Sequence, residues 1–505
     1  YMKNAKSKIM GFDIECDSSH GDFPLPIKDY IKLAREIYDS YKKLNKYKKK
    51  LQENNNLINN DKKEEKINKN EIKLINSVLE DRIDYVKQRL IAAFDNGSTE
   101  LHVSKIYTKT KAKFRNGHFD KISEKIAPYL TISNNMNSIE RKKHCSRCIN
   151  KINKILNESF PSVKGDKTIQ IGISFLKYGE SIPYKNYMLT LDTCDKLKNA
   201  ETFSFKTEKE LLLKFKDIII KEDPEIITGW NTDGFDTPWL FKRADELGIN
   251  EQFNYLSRIK NFKSILKEKQ VKGPTGQLIK KEYVDIPGRI QMDMLPLVRK
   301  SYNLGSYKLD NVSAEFINGK VNEVKYDNNT NLTTILTSDL KGLNIGNYIV
   351  FNIKDGYLEN KYDNGKKFQI KNIDRNNITF TINGSIDLKA GKNVLWCLGK
   401  DDIGPKDIFR LQKGSSTDRS ILAYYCMMDV ILCHELLNKL QLLTKNKGMS
   451  NVCKNPLSWI IHRGQGVKIL SLVSYFLKQK DYLLPFLYKD TFSKEGYEGA
   501  VVLDP

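Results

Sequence analysis

Ile9-Met10-Gly11-Phe12-Asp13-Ile14-Glu15-Cys16 reads as a strand carrying two acids two residues apart. A strand's period of two puts Asp13 and Glu15 on one face and Phe12, Ile14 and Cys16 on the other, so two carboxylates stand above an apolar underside. Like charges held that close repel, and a bound divalent cation offsets them. A surface strand with two solvated acids has the same local pattern. The pair gains meaning only if acids on other elements join it.

Three further segments supply the neighbourhood. Thr168-Ile169-Gln170-Ile171-Gly172-Ile173-Ser174-Phe175 sets Ile169, Ile171, Ile173 and Phe175 on one face, which predicts a second strand pairing antiparallel with the first. Thr207-Glu208-Lys209-Glu210 is a capping box that opens a helix with Leu211, Leu212, Phe215, Ile218 and Ile219 as its buried stripe. Asp223-Pro224 ends it, a short strand follows to Gly229, and Asn231-Thr232-Asp233-Gly234-Phe235-Asp236 is the loop beyond, with Thr237 capping the next helix. An acid at the carboxyl end of a strand, beside a helix start, is where open α/β sheets place ligands. Much later, Thr417 or Asp418 caps a predicted helix over 419–444 in which Tyr425 and Asp429 lie four apart on one face. An acid among Met428, Val430 and Ile431 calls for a partner.

Composition bounds the possibilities. At 505 residues, two to four domains are expected. A count of 84 Lys and Arg against 62 Asp and Glu, net +22, points to a polyanionic partner, although abundant Lys, Asn and Ile also fit the coding bias of an AT-rich genome. Eight cysteines, mostly single, read as reduced thiols of an intracellular protein. His144-Cys145-Ser146-Arg147-Cys148 has no second C-x-x-C to complete a zinc site and reads as two ordinary cysteines. No signal peptide is recognisable, and the nearest thing to a membrane span is the short apolar stretch 469–477, so a soluble chain without a membrane partner is expected. Tyr1 ahead of a Met, and a stop at Pro505 just after an apolar run, read as a piece of something longer.

Two insertions interrupt the α/β pattern. Residues 28–160 are Lys/Asn-rich and largely helical, with Ile31, Ala34, Ile37 and Tyr38 on one face, then Ile72, Ile75, Leu79 and Ile83 at helical spacing. Weak order is expected over 54–70. A solvated insertion and a nucleic-acid arm both fit its charge. Residues 320–396 switch to short alternating runs between Asn/Gly/Asp turns, a small all-β insertion of barrel type.

Asp13 and Glu15 on a strand, Asp236 at a strand-to-helix junction and Asp429 on a helix form the acid set that a two-metal phosphodiesterase needs. Hard oxygen ligands suit Mg²⁺ or Mn²⁺. One ion activates the attacking water and the other takes up charge on the departing 3′ oxygen. Tyr425, one turn before Asp429, is placed to hold that water.

Asp13-Ile14-Glu15, Asn231 through Phe235-Asp236, and Tyr425-Cys426-Met427-Met428-Asp429 resemble, in order and form, the three exonuclease motifs of the family B DNA polymerases. Ile169-Gln170-Ile171-Gly172, Ser306-Tyr307-Lys308-Leu309 and Arg463-Gly464-Gln465 agree, and Tyr497-Glu498-Gly499-Ala500 resembles the family's linker motif, which touches the template strand. The chain is most similar to the delta-like polymerases of large DNA viruses. The resemblance implies a ribonuclease-H-like α/β core that excises mispaired ends 3′ to 5′, with Asp13, Glu15, Asp236 and Asp429 binding two Mg²⁺ or Mn²⁺ and Tyr425 orienting water. It also implies DNA contacts at Phe12, Asn231, Phe235, Tyr497 and Gly499. Expected partners are primer–template DNA, single-stranded 3′ ends and, through a part absent here, a sliding clamp or processivity factor. A viral source would place it in the host nucleus or a cytoplasmic replication site.

The implied layout is an N-terminal remnant and first strand over 1–27, the helical insertion over 28–160, exonuclease core over 161–319, the β insertion over 320–396, core again over 397–445, and a lead into the palm over 446–505. The palm's catalytic acids lie beyond it. A stand-alone 3′ to 5′ exonuclease and a catalytically silent DNA-binding scaffold are the alternatives.

Overall fold

Six strands form one mixed sheet in the computed structural model, which describes the chain apart from residues 1–5, 58–74, 76, 79, 112–113, 115–116, 132–135, 273–277, 356–357, 389–392, 400–402 and 485–505. They are β1 (Lys8–Cys16), β2 (Thr168–Lys177), β3 (Lys185–Leu191), β4 (Glu201–Phe205) and β5 (Ile226–Gly229), then, past a separate hairpin of β6 (Ile265–Lys272) and β7 (Leu278–Asp285), β8 (Ile290–Asp293). Their order is β4-β3-β2-β1-β5-β8. As the shared apolar faces predict, β1 and β2 pair antiparallel, with Asp13 opposite Gly172 and Ile14 opposite Ile171. On its other side β1 pairs in parallel with β5, and β5 with β8. The carboxyl ends of β1, β5 and β8 therefore share one edge.

One face of this sheet is closed by the helix Glu208–Glu222, opened by the Thr207–Glu210 capping box, and by the helix Asp236–Glu246. Phe12, Ile14 and Cys16 are buried there with Phe215, Ile218, Trp239 and Leu240. Arg243 spans the two helices, its Nε and Nη2 donating to Glu208 at 2.9 and 2.5 Å, while Glu208 also accepts from the Thr168 N–H. Both ions are buried, and their pairing is completed by Glu246 and the Pro26 carbonyl oxygen, to which Arg243 Nη1 also turns.

The other face is covered by the helix Ser416–Lys439. It starts three residues before the predicted 419, because Ser415 rather than Thr417 or Asp418 is the cap and Asp418 completes a capping box. It stops at Lys439, before the left-handed Gln441. Among the described residues it is the helix that by length and composition resembles a membrane span, in place of 469–477, but it packs on β1 and β2 as a core helix.

The helical insertion has a core of its own. The helices Ile31–Leu57, Arg82–Asp95, His118–Ile126 and Ser138–Ser159 enclose Leu33, Ile37, Tyr38, Val86, Leu90, Ile126, Ile152 and Leu156. Ile83 is exposed; the helix Arg82–Asp95, capped by Asp81, buries Tyr85, Val86, Leu90 and Ala93 instead, and Ile72 and Leu79 lie outside the described residues. The expectation of weak order over 54–70 falls, from residue 58 on, outside the described residues.

The β insertion runs from Asn318 to Gly399, two residues earlier and three later than predicted. Its seven-stranded sheet closes on itself where Tyr348–Asp355 pairs with Asn393–Gly399, giving the expected barrel. Its interior, around Trp396, Phe351 and Phe380, is continuous with Ile9, Ile226 and Met292 of the main sheet and with Cys433, Leu436 and Leu437 of the covering helix. The barrel is thus built into the core rather than hung from it.

Candidate active site

Gly11, Asp13 and Glu15 lie on the same face of β1, with Gly172 beside them on β2. A Cβ on Gly11 would meet His434 Nε2 at 3.0 Å, and one on Gly172 would meet Cys426 Sγ and Val430 Cγ2 at 3.2 Å. These two glycines let the helix Ser416–Lys439 settle against the acid-bearing face. Cys426 Sγ comes within 3.7 Å of the Asp13 carbonyl oxygen. Tyr425 is buried beside the acids, and Asp429 one turn on is half-buried. Burial first, then the charges of Asp429, Glu15, Asp310 and Asp13, push the Tyr425 phenol far above its ordinary value. It remains a neutral hydroxyl at any working pH.

Asp236 follows β5, the strand that pairs with the other side of β1. Asn231 takes a left-handed conformation with φ 63°, and its carbonyl oxygen accepts from the N–H groups of Gly234 and Phe235, both at 2.9 Å. That turn runs straight into the helix, whose first residue is Asp236 rather than one after a Thr237 cap. The Asp236 carboxylate is buried. Burial, reinforced by the charge of Asp293, pushes it up to about 7.

Asp293 was not singled out from the sequence. At the end of β8 its carboxylate accepts from the N–H groups of Asn231 at 2.9 Å, Asp233 at 3.2 Å and Leu295 at 3.0 Å, tying the 231–236 loop to the sheet. Burial, and next the charge of Asp233, pushes it up to about 6. The signal available was an acid inside the apolar run Met292-Asp293-Met294 just before a helix. Asp310, which faces Tyr425 and Asp429 in one cleft, was also missed.

Asp13, Glu15 and Cys426 bring ligand atoms within 4.8 Å of one another, enough to hold one metal ion. Burial, and then the neighbouring carboxylates, push the Cys426 thiol well up, which disfavours a thiolate beside Asp13 and Glu15. The donors that remain are hard carboxylate oxygens, which fit Mg²⁺ or Mn²⁺ better than Zn²⁺. That tight group includes neither Asp236 nor Asp429. The charges of Asp13, Asp429, Asp236 and Asp293 nevertheless all act on the Cys433 thiol.

The aromatic residues divide. Phe12 is 2% exposed and packs on Phe215, so its ring belongs to the core and not to a surface that meets DNA. Phe235 is half-buried between Trp239 and Phe23, its ring centroid 5.3 Å from the first and 5.9 Å from the second. Phe23, 74% exposed, was not recognised in the turn after β1. Asp166 holds that turn by accepting from the N–H groups of Ser19 and Leu25 and from Lys28 Nζ. Tyr497 and Gly499 lie outside the described residues.

An α/β fold with acids along the carboxyl edge of its parallel strands fits an exonuclease domain. Residues 103–312 match the family model described as DNA polymerase family B, exonuclease domain, and the chain carries that domain. Over its full length it is 37% identical to a DNA polymerase of Pyramimonas orientalis virus, covering 40% of that protein. It is 32% identical, over 99% of its length, to a DNA polymerase of Phaeocystis pouchetii virus, covering 51% of it. Against the DNA polymerase delta catalytic subunit of Candida albicans it is 28% identical over 68% of this chain and 26% of that one. The chain thus spans about half or less of the relatives it matches. Asp13, Glu15, Tyr425 and Asp429 all lie outside the span of the family model.

Proposed function

We propose that this chain removes nucleotides from the 3′ end of DNA by two-metal hydrolysis, as the proofreading part of a larger family B polymerase. The observation that carries the reading is the meeting of Asp13 and Glu15 on β1 with Cys426 of the helix that also bears Asp429 and is seated on two glycines, next to the strand β5 that leads to Asp236.

Asp13, Glu15, Asp236 and Asp429 would hold two Mg²⁺ or Mn²⁺ ions, which supply an activated water and stabilise charge on the departing 3′ oxygen. Tyr425, kept neutral by its surroundings, donates a hydrogen bond that holds the water in line. Asp293 fixes the 231–236 loop, so Asn231 and Asp236 keep their places while the strand is drawn in. Phe23 and Phe235 offer rings at the rim, on which bases of the frayed end stack without regard to sequence. Net charge +22 suits a phosphate backbone.

Nucleotide addition, the grip on primer–template DNA and docking on a sliding clamp belong to the same proposal, assigned to the longer protein. Release of label from a 3′-labelled single strand tests the core of it: Mg²⁺ should support release and a chelator should stop it. Excision indifferent to chelation would refute the metal mechanism.

A further inference from the structure

We infer that a hollow at the amino edge of the main sheet's parallel strands is a docking site for an acidic protein segment that inserts one aromatic or branched apolar side chain. The hollow lies where the helix Glu208–Glu222 ends, between Asp223, which precedes β5, and Arg289, which precedes β8. Asp236 follows β5 and Asp293 closes β8 at the opposite edge, so the hollow is apart from the acids. It holds about 640 Å³, within the usual size of ligand pockets.

Its chemistry selects the occupant. Ile220, Tyr255, Ile259 and Phe262 line it and are 37 to 51% exposed, an apolar patch of the kind that marks an interaction site. Cations outnumber acids around it by five to two. Asp217 is paired with Lys216, and Asp223 with Arg258 and Arg289, so Lys221, Lys260 and the surplus arginine leave the hollow net positive. An apolar centre inside a charged rim is the anatomy of a protein interface. The partner's acids meet the lysines at the rim while its apolar side chain fills the centre. A DNA strand fits less well: its phosphates would meet the carbonyl end of the helix Glu208–Glu222, which carries partial negative charge, and two isoleucines offer no stacking face.

The hollow is formed before anything binds. Arg289 is buried, and it donates from Nε to the Leu256 carbonyl oxygen at 2.8 Å and from Nη1 to Asp223 at 2.9 Å, which joins the loop 256–262 to the helix end. Gly288, with φ 80°, lets the chain pass close to Arg258, whose Cβ would lie 2.9 Å from a Cβ placed there. A preformed site lowers the ordering cost of binding.

The test selects short random displayed peptides on the full chain, then measures a selected peptide, fluorescein-labelled, by anisotropy. Enriched peptides should carry Asp or Glu around one aromatic or branched apolar residue. Phe262→Ser and Lys260→Glu change exposed side chains and should leave thermal unfolding unchanged. Each should weaken peptide binding about tenfold, the effect of losing one anchoring contact. Labelled oligothymidylate, titrated in EDTA, should bind Phe262→Ser as it binds the wild type. Enrichment of peptides without acids, or peptide binding indifferent to both substitutions, would overturn the docking site. Oligothymidylate losing affinity for Phe262→Ser would assign the hollow to DNA and overturn it equally.

Discussion

The carboxylate of Asp293 accepts the backbone N–H of Asn231 at 2.9 Å, so the loop after β5, which leads into Asp236, is tied to the end of β8. The tie holds Asp236 buried beside Asp293, and the cost shows in its elevated pKa.

That cost gives a pH prediction. The Asp236 carboxyl titrates at about 7 when folded, against an ordinary value of about 3.9 in the unfolded chain. With the folded pKa raised, stability from this group is full below about pH 4 and is lost as pH rises to about 7. In the absence of divalent ions, Asp236→Asn should therefore gain on the wild type in denaturant unfolding between about pH 4 and pH 7, then hold a constant advantage. A gap between the two proteins that does not change with pH would contradict the burial of this acid.

Gly172 is the second test, because it sets the approach of the helix that carries Asp429. In Gly172→Val the new side chain must push against Cys426 and Val430, both already at contact distance. Overpacking should destabilise the fold by about 1 to 3 kcal/mol. Excision should fall further than stability alone explains, because the helix moves with its tyrosine and acid. Thermal unfolding read beside kcat separates the two effects.

The helical insertion should be energetically separate. Leu90 is fully buried in a core that shares no residue with the sheet's core. Leu90→Ala should cost the insertion about 2 to 5 kcal/mol, seen as earlier protease cleavage between residues 28 and 160. The rate of 3′ excision should stay at the wild-type level; a parallel loss would show that the insertion supports the site.

What could be read from the sequence follows from which forces are local. Alternation in 168–175 and the Thr207–Glu210 box depend on neighbours in the chain, and both elements formed as expected. Asp13, Glu15, Asp236 and Asp429 stood out because acids beside apolar strands and helices are costly without a purpose. Long-range packing was not legible. Phe12 stands beside Asp13, where the resemblance implies a DNA contact, but lies on the buried face of β1. Asp293 and Phe23 act through contacts made by folding, with the 231–236 loop and with Phe235. Nothing in residues 318–399 announces that the barrel shares its core with the helix bearing Asp429.

The most direct measurement is release of the terminal nucleotide from a 3′-labelled single strand at fixed Mg²⁺ by the wild type, Asp13→Ala, Asp429→Ala and Tyr425→Phe. On the proposed reading these two substitutions remove metal ligands, so Asp13→Ala and Asp429→Ala should each come close to abolishing release while unfolding like the wild type. Tyr425→Phe deletes one hydrogen bond to water and should slow release on the order of tenfold. Full activity in either Asp variant would contradict the assignment of this acid-lined edge as the source of excision.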